Sequence, residues 1–343
     1  MKPAWLVLPL ASLLACATSE PIGPVGADPD EVPGEVQAGR APLPDVRCAG
    51  APAAGATRSF RHFGSKVTAF LGDPRHRGFD LVTSATATSQ RLEGWVSYTL
   101  ADKALEDEDV DLFACRAGAW RKVGTARTDD EGHFALELPA AERLPVGLRE
   151  LFVSVAGDRT GVGFLALVAP AGTPLVASDV DGTLTSSENA FLETIVLGRE
   201  PDARAGAGHA FTATAARGYA PIYVTARGNQ YTTATRDWLE HKGFPRGPVR
   251  LSPSFVTLPG ADTVDYKART LGALTAAGLT LAAGIGNRAS DIDAYARAGL
   301  PATRTFIELP EYQSEVQPRL DARQAIGFTS YDALLADQLG KLP

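Results

Sequence analysis

The stretch Leu175-Val176-Ala177-Ser178-Asp179-Val180-Asp181-Gly182-Thr183 decides how this chain is read. Leu175 to Ser178 is a short, largely apolar run after Pro174, as expected of a strand buried on both faces of a parallel sheet. Ligands bind beyond the carboxyl ends of such strands, and this end carries two aspartates separated by one residue. One carboxylate there can attack phosphorus and become an aspartyl phosphate. The other can protonate a leaving alkoxide and later deprotonate the attacking water. The same residues also fit an acidic strand-to-helix turn in which Asp181 only caps a helix. The rest of the chain separates these readings.

Three elements follow in order. Pro221-Ile222-Tyr223-Val224-Thr225-Ala226-Arg227 reads as a second buried strand, ending in a hydroxyl and a cation. Lys267 falls on the first turns of an expected helix. Leu281-Ala282-Ala283-Gly284-Ile285 reads as a third strand running into Gly286-Asn287-Arg288-Ala289-Ser290-Asp291. A phosphoryl group in transfer carries charge on its peripheral oxygens, which must be met by donors, cations and usually Mg²⁺. Thr225 can donate a hydrogen bond, Lys267 brings a point charge, and Asn287 with Asp291 offers oxygen ligands to a hard octahedral cation. Each element alone has a plainer explanation; the ordered set points to phosphoryl-transfer chemistry.

This order resembles the haloacid dehalogenase superfamily of phosphotransferases. Its local words resemble the lipin/Ned1/Smp2 (LNS2) group, whose eukaryotic members are Mg²⁺-dependent phosphatidate phosphatases. The words are Asp179-Val180-Asp181-Gly182-Thr183-Leu184-Thr185, Tyr223-Val224-Thr225-Ala226-Arg227, Arg246-Gly247-Pro248-Val249-Arg250-Leu251-Ser252-Pro253 and Gly286-Asn287-Arg288-Ala289-Ser290-Asp291. The resemblance implies a Rossmannoid α/β fold with helices on both faces of a parallel sheet. It implies Asp179 as nucleophile and Asp181 as acid/base. Gly182, Thr183, Thr225, Ala226 and Lys267 would hold the phosphoryl group, and Asp179, Asp181, Asn287 and Asp291 would hold Mg²⁺. Thr225 stands where lipins usually have Ser, and the hydroxyl survives. Non-catalytic LNS2 domains of lipid-transfer proteins lose the nucleophilic carboxylate, whereas this chain keeps Asp179.

The intervals from Thr185 to Thr225 and from Thr225 to Lys267 are each about 40 residues, short of the roughly 50 at which folded domains begin. A capless or minimally capped, open site is expected. It suits a bulky substrate or one whose tail stays in a bilayer.

Upstream, residues 58–172 hold short alternating runs at 92–98, 110–115 and 133–138, more continuously apolar runs at 151–155 and 162–168, and turn chemistry such as Thr128-Asp129-Asp130-Glu131-Gly132. The pattern implies an immunoglobulin- or transthyretin-like sandwich ahead of the α/β domain of residues 173–343. Arg75-His76-Arg77 is a small basic cluster, either a solvated loop or a contact for anionic headgroups. Residues 17–57, rich in Pro, Gly and Ala, read as a disordered tether with a reach of about 35 Å. Residues 1–16 combine Lys2, an apolar run too short to span a bilayer and Leu13-Leu14-Ala15-Cys16. They resemble a bacterial lipoprotein signal. That implies lipidation of Cys16 and an envelope location, the outer membrane favoured over secretion.

The chain has 343 residues, 45% of them hydrophobic, enough for two cores and a tail. Its formal charge of −7, without Lys/Arg-rich runs, gives no reason to expect nucleic acid. Cys48 and Cys115 either pair or stay separate thiols. The function expected is Mg²⁺-dependent hydrolysis of a phosphomonoester, phosphatidate first. The alternatives are another phosphomonoester (a lysophospholipid, phosphoprotein or soluble metabolite) or a lipid-binding protein without turnover.

Overall fold

The runs read as strands between residues 92 and 168 all become strands, and two of them are buried on both faces. The computed structural model describes residues 40–53, 55–187, 200–253 and 260–343. Its first part runs β1 (Asp45–Val46), α1 (Phe63–Leu71), β2 (Arg77–Phe79), β3 (Leu81–Ser84), β4 (Arg91–Trp95), β5 (Ser97–Tyr98), β6 (Lys103–Ala104), β7 (Asp109–Arg116), β8 (Ala119–Arg127), β9 (His133–Glu137), β10 (Gly147–Val155) and β11 (Gly161–Ala169). One sheet has the order β3-β11-β10-β7-β8, with β1 added parallel to β10; the facing sheet is β2-β4-β9. Between them lie Leu92, Leu112, Phe134, Leu151, Val153 and Phe164.

The second part runs β12 (Pro174–Ser178), α2 (Ala207–Ala216), β13 (Ala220–Gly228), α3 (Thr232–His241), β14 (Val249–Ser252), α4 (Ala261–Ala276), β15 (Thr280–Gly286), α5 (Ala289–Arg297), β16 (Thr305–Glu308), α6 (Gln313–Asp321), β17 (Ile326–Phe328) and α7 (Tyr331–Asp337). Its strands form one parallel sheet in the order β14-β13-β12-β15-β16-β17. Strand order reverses at the β12–β15 junction, where ligands of such sheets bind. Phe211 of α2, Trp238 of α3 and Tyr331 of α7 pack on one face of the sheet. Leu271 and Leu274 of α4 and Tyr295 of α5 pack on the other. The expected α/β sheet with helices on both faces, preceded by a β-sandwich, is the observed architecture.

Strand β11 explains why the two parts form one compact body. Its side chains alternate, so Phe164, Ala166 and Val168 enter the sandwich core. Leu165, Leu167 and Ala169 enter a core shared with Ala177, Ile222, Val224 and Leu271 of the α/β part. Each buried leucine is worth about 1.5–3 kcal/mol. Asp80, between β2 and β3, adds polar stitching. Its Oδ1 accepts from the Leu165 N–H and Arg236 Nη2, both at 2.7 Å, and its Oδ2 from the Val249 N–H at 2.8 Å.

Two sequence expectations need correcting. The tether expected to reach residue 57 is fastened along part of its length: β1 pairs with β10, Cys48 is bonded to Cys115, and Trp120 Nε1 donates to the Gly50 carbonyl. Backbone pairing and a covalent bond supply what its few apolar side chains do not. Arg75-His76-Arg77 is not a three-residue basic patch, because His76 and Arg77 are buried and Arg75 alone is exposed. Arg77 pairs with Asp102 and stacks over Trp95, and His76 Nε2 meets Thr160 Oγ1. Residues 1–39, including Cys16, lie outside the described residues.

The disulfide joins residues 67 positions apart. By loop-closure entropy it contributes about 4 kcal/mol. Dithiothreitol is expected to lower the denaturant midpoint accordingly and to expose residues 40–57 to protease, while Cys48→Ser loses this response. An unmoved midpoint would mean that β1 pairing alone fastens the strap.

Candidate active site

Asp179 sits one residue beyond β12, and its N–H still donates to the Ile285 carbonyl of β15 at 2.9 Å. Gly182, at φ 69°, turns the chain back in a conformation that costs side-chain-bearing residues energy. The Gly182 N–H donates to Thr185 Oγ1 at 2.8 Å, and the Leu184 and Thr185 amides return to the Val180 carbonyl. Tyr331 Oη donates to the Thr183 carbonyl at 2.9 Å and Arg204 Nη2 to the Gly182 carbonyl at 3.0 Å. The loop that carries both aspartates is therefore fastened from α7 and from the segment before α2. Thr183 Oγ1 is buried with no hydrogen-bond partner among the described residues.

Lys267 reaches this loop from α4 and is buried. Its Nζ lies 2.8 Å from Asp179 Oδ1 and 2.7 Å from Asp291 Oδ1. Burial works against the ammonium charge, but Asp179 and Asp291 outweigh it and hold the pKa well above the ordinary lysine value. Asp291 Oδ2 accepts from the Asn287 and Arg288 N–H groups, each at 3.1 Å. Gly286 permits this. A Cβ there would stand 2.4 Å from Asp291 Cβ, so β15 ends in glycine because the carboxylate of α5 lies against its backbone.

Asp181 turns to the other side. Its Oδ1 accepts from Arg227 Nη2 at 2.6 Å, its Oδ2 from Arg227 Nε at 2.9 Å and from Thr225 Oγ1 at 3.1 Å. Arg227 Nη1 also donates to Thr235 Oγ1 of α3 at 3.0 Å, which fixes the fork. Asp179, Asp181, Gly182, Thr183, Thr225, Ala226, Lys267, Asn287 and Asp291 thus gather at the carboxyl edge of β12, β13 and β15. Arg227 joins them without having been expected there. The signal lay in Thr225-Ala226-Arg227, where a cation follows the hydroxyl by two residues at a strand end.

Glu308 is a second unexpected neighbour. It ends β16, one residue past the Gly286–Ile307 pair, and is buried with Oε2 3.1 Å from Arg204 Nη2. Burial lifts its carboxyl to about 7, against the pull of Arg204. Two other features stand apart from the site. A cavity of about 370 Å³ between β10, β11 and α3 contains none of the residues above. Asp129, Glu131 and His133 cluster on an exposed turn. There Asp129 Oδ1 accepts the Glu131 and His133 amides, which accounts for the cluster as turn chemistry.

An α/β domain with an acidic, lysine-bridged strand edge, joined to a β-sandwich, is thus the class that fold and site define. Comparison with known proteins is consistent with both parts. Residues 176–308 match the LNS2 domain of PITM 1-3, and residues 74–168 match the β-sandwich domain of PITM 1-3. The chain is 30% identical over 237 residues to human membrane-associated phosphatidylinositol transfer protein 1, covering 68% of this chain and 18% of that protein. It is 29% identical over 266 residues to protein retinal degeneration B of Drosophila melanogaster, covering 76% of this chain and 20% of the relative. The chain therefore spans about a fifth of the length of these relatives. Among solved structures, D,D-heptose 1.7-bisphosphate phosphatase from B. bronchiseptica aligns with a TM-score of 0.39 at 14% identity, over 49% of this chain and 99% of that one.

These matches correct two expectations. The sequence relationship is to the LNS2 and sandwich domains of membrane-associated phosphatidylinositol transfer proteins, not to a lipin-type phosphatidate phosphatase domain on a bacterial lipoprotein. The bacterial outer-membrane location is overturned by the same animal relatives.

Two outcomes are expected. Lys267→Met leaves Asp179 and Asp291 facing each other in a buried site and should cost about 3–5 kcal/mol in equilibrium unfolding. For Glu308 the folded pKa, about 7, exceeds the ordinary 4.5, so the native state binds the extra proton. Its stabilisation is full below about pH 4.5 and is lost as pH rises through about 7. Glu308→Gln should flatten unfolding free energy against pH across that window, and an unchanged slope would assign it to another group.

Proposed function

We propose that this chain hydrolyses a phosphomonoester in two steps through an aspartyl phosphate on Asp179, with a lipid phosphomonoester, phosphatidate first, as substrate. The reading rests on one juxtaposition: Asp179 against Lys267 and Asp291, with Asp181 against Arg227 and Thr225, at one strand edge. An Asp179 oxygen forms the bond to phosphorus while the ester oxygen leaves with its electron pair. Asp181 supplies a proton to that alkoxide. It then takes one from the water that attacks the aspartyl phosphate, releasing inorganic phosphate and restoring the carboxylate. Arg227 aims Asp181, and Lys267 with Thr225 and Thr183 meets the peripheral oxygens of the phosphoryl group.

The donors of Asp179, Asn287 and Asp291 are carboxylate and amide oxygens, the set that suits a hard cation. Mg²⁺ held by these residues would add neutralising charge beside the phosphoryl oxygens. The name of the relatives, membrane-associated phosphatidylinositol transfer protein, supports a lipid as the phosphate's carrier.

A second reading has one observation in its favour. Both oxygens of Asp181 are engaged by Arg227 and Thr225, the arrangement of a fixed anion, so the site would bind a phosphomonoester without turning it over. Phosphate release from dioleoyl-phosphatidate micelles with Mg²⁺, set against water-soluble phosphomonoesters, separates the two. Hydrolysis of phosphatidate is expected, and Asp179→Asn should lower it by at least about a thousandfold without unfolding the protein. Preference for soluble esters would sink the lipid substrate, and binding without release would favour the second reading.

A further inference from the structure

Helix α1 is built inside out. Its small residues Ser65, Thr68 and Ala69 face the sandwich, and its large apolar residues face solvent. Phe63, Phe70 and Leu71 are 81%, 86% and 73% exposed, and Leu100, on the turn whose Thr99 lies against Gly72, is 85% exposed. Phe63, Val67, Phe70 and Leu71 recur at the spacing of one helix face, so they project as a single stripe. A contiguous exposed apolar patch of this kind marks an interaction surface. The helix lies outside both stretches that match known families, residues 74–168 and 176–308.

The surroundings say what covers the stripe. Between residues 58 and 79 the chain carries Arg58, Arg61, Lys66, Arg75 and Arg77 against the single acid Asp73, in a protein of net charge −7. Arg58, Arg61 and Arg77 are ion-paired to Asp111, Asp107 and Asp102. Lys66 and Arg75 are exposed and make no ion pair among the described residues. Basic groups beside projecting aromatic and leucine side chains are the composition of an interfacial helix, whose apolar face enters the acyl boundary while its cations meet anionic headgroups. The patch is a convex helix face with protruding tips. It is shaped to enter a soft apolar phase.

We infer that α1 with Leu100 is a membrane-docking element, which inserts Phe63, Phe70 and Leu71 into the surface of an anionic bilayer. The inference is independent of turnover at Asp179. It is tested on the full chain with vesicles of 70:30 phosphatidylcholine:phosphatidylglycerol. Phe63→Ser/Phe70→Ser should lower the apparent partition coefficient at least about tenfold, with an unfolding midpoint equal to wild type because both side chains are solvent-exposed. Lys66→Glu/Arg75→Glu should weaken binding most at low salt. Phe70→Trp reports on the helix itself. Its emission, taken as the difference from wild type, should move to the blue on these vesicles and be quenched by brominated acyl chains. An unshifted, unquenched difference signal from Phe70→Trp overturns the inference, as does undiminished binding of the double serine variant. Emission already blue without vesicles would place a segment of the chain on the stripe instead. A dimer that the serine variant dissolves would place a second copy there.

Discussion

A buried ammonium shared by two carboxylates is the constraint on which this domain turns. Lys267, Asp179 and Asp291 come from α4, the β12 edge and α5, and none can be buried as a charge without the others. Once the three are together, β12 and β15 must lie side by side, α5 must start where Gly286 lets Asp291 approach, and α4 must cross the strand edge. The site is thereby also a folding contact, since the interaction that poises Asp179 ties three elements of the sheet together. Asp291 is anchored further by two backbone amides, so its position is set by the chain path rather than by its neighbours.

The sandwich contributes to this edge by fixing the sheet from behind. From Phe164 to Ala169 β11 is buried on both faces, and the same strand leads through residues 170–173 straight into β12. Asp80 bridges the same junction with charge-assisted bonds to Arg236 and to two backbone amides. A rigid strand leaving a rigid sandwich is a short lever. It positions Asp179 with few rotatable bonds between the two cores.

How much of this was legible in sequence depends on which force set each element. Alternation marked β4, β7 and β9 because one of their faces meets a core and the other does not. Continuous apolar runs marked β11 and β12 because both faces do. Strand β8 left no legible pattern because its exposed residues, Arg121, Lys122 and Arg127 among them, break the alternation, so its place is set by pairing with β7. The strap was legible only in part: a Cys48–Cys115 pair was one of two open readings, and the pairing of β1 with β10 leaves little trace in composition. Asp80 and Glu308 escaped because a lone acid at a strand end reads as solvated until its partners are seen. The residues that gather at the strand edge were legible as a group because each stands at a strand end or helix start, in an order that phosphoryl chemistry would require. Their partners were not, since Arg227 closes on Asp181 only through the pairing of β12 with β13.

That last pairing bears on what kind of site this is. A guanidinium fork that takes both carboxylate oxygens fixes the carboxylate's direction. The guanidinium offers five donors, and in this state Nε and Nη2 serve Asp181 while Nη1 serves Thr235. A phosphate dianion at the strand edge is a stronger partner for that cation than a carboxylate of single charge. Under the proposed reading, an arriving phosphate would compete with Asp181 for Arg227, so the cation that aims the carboxylate would also hold the substrate.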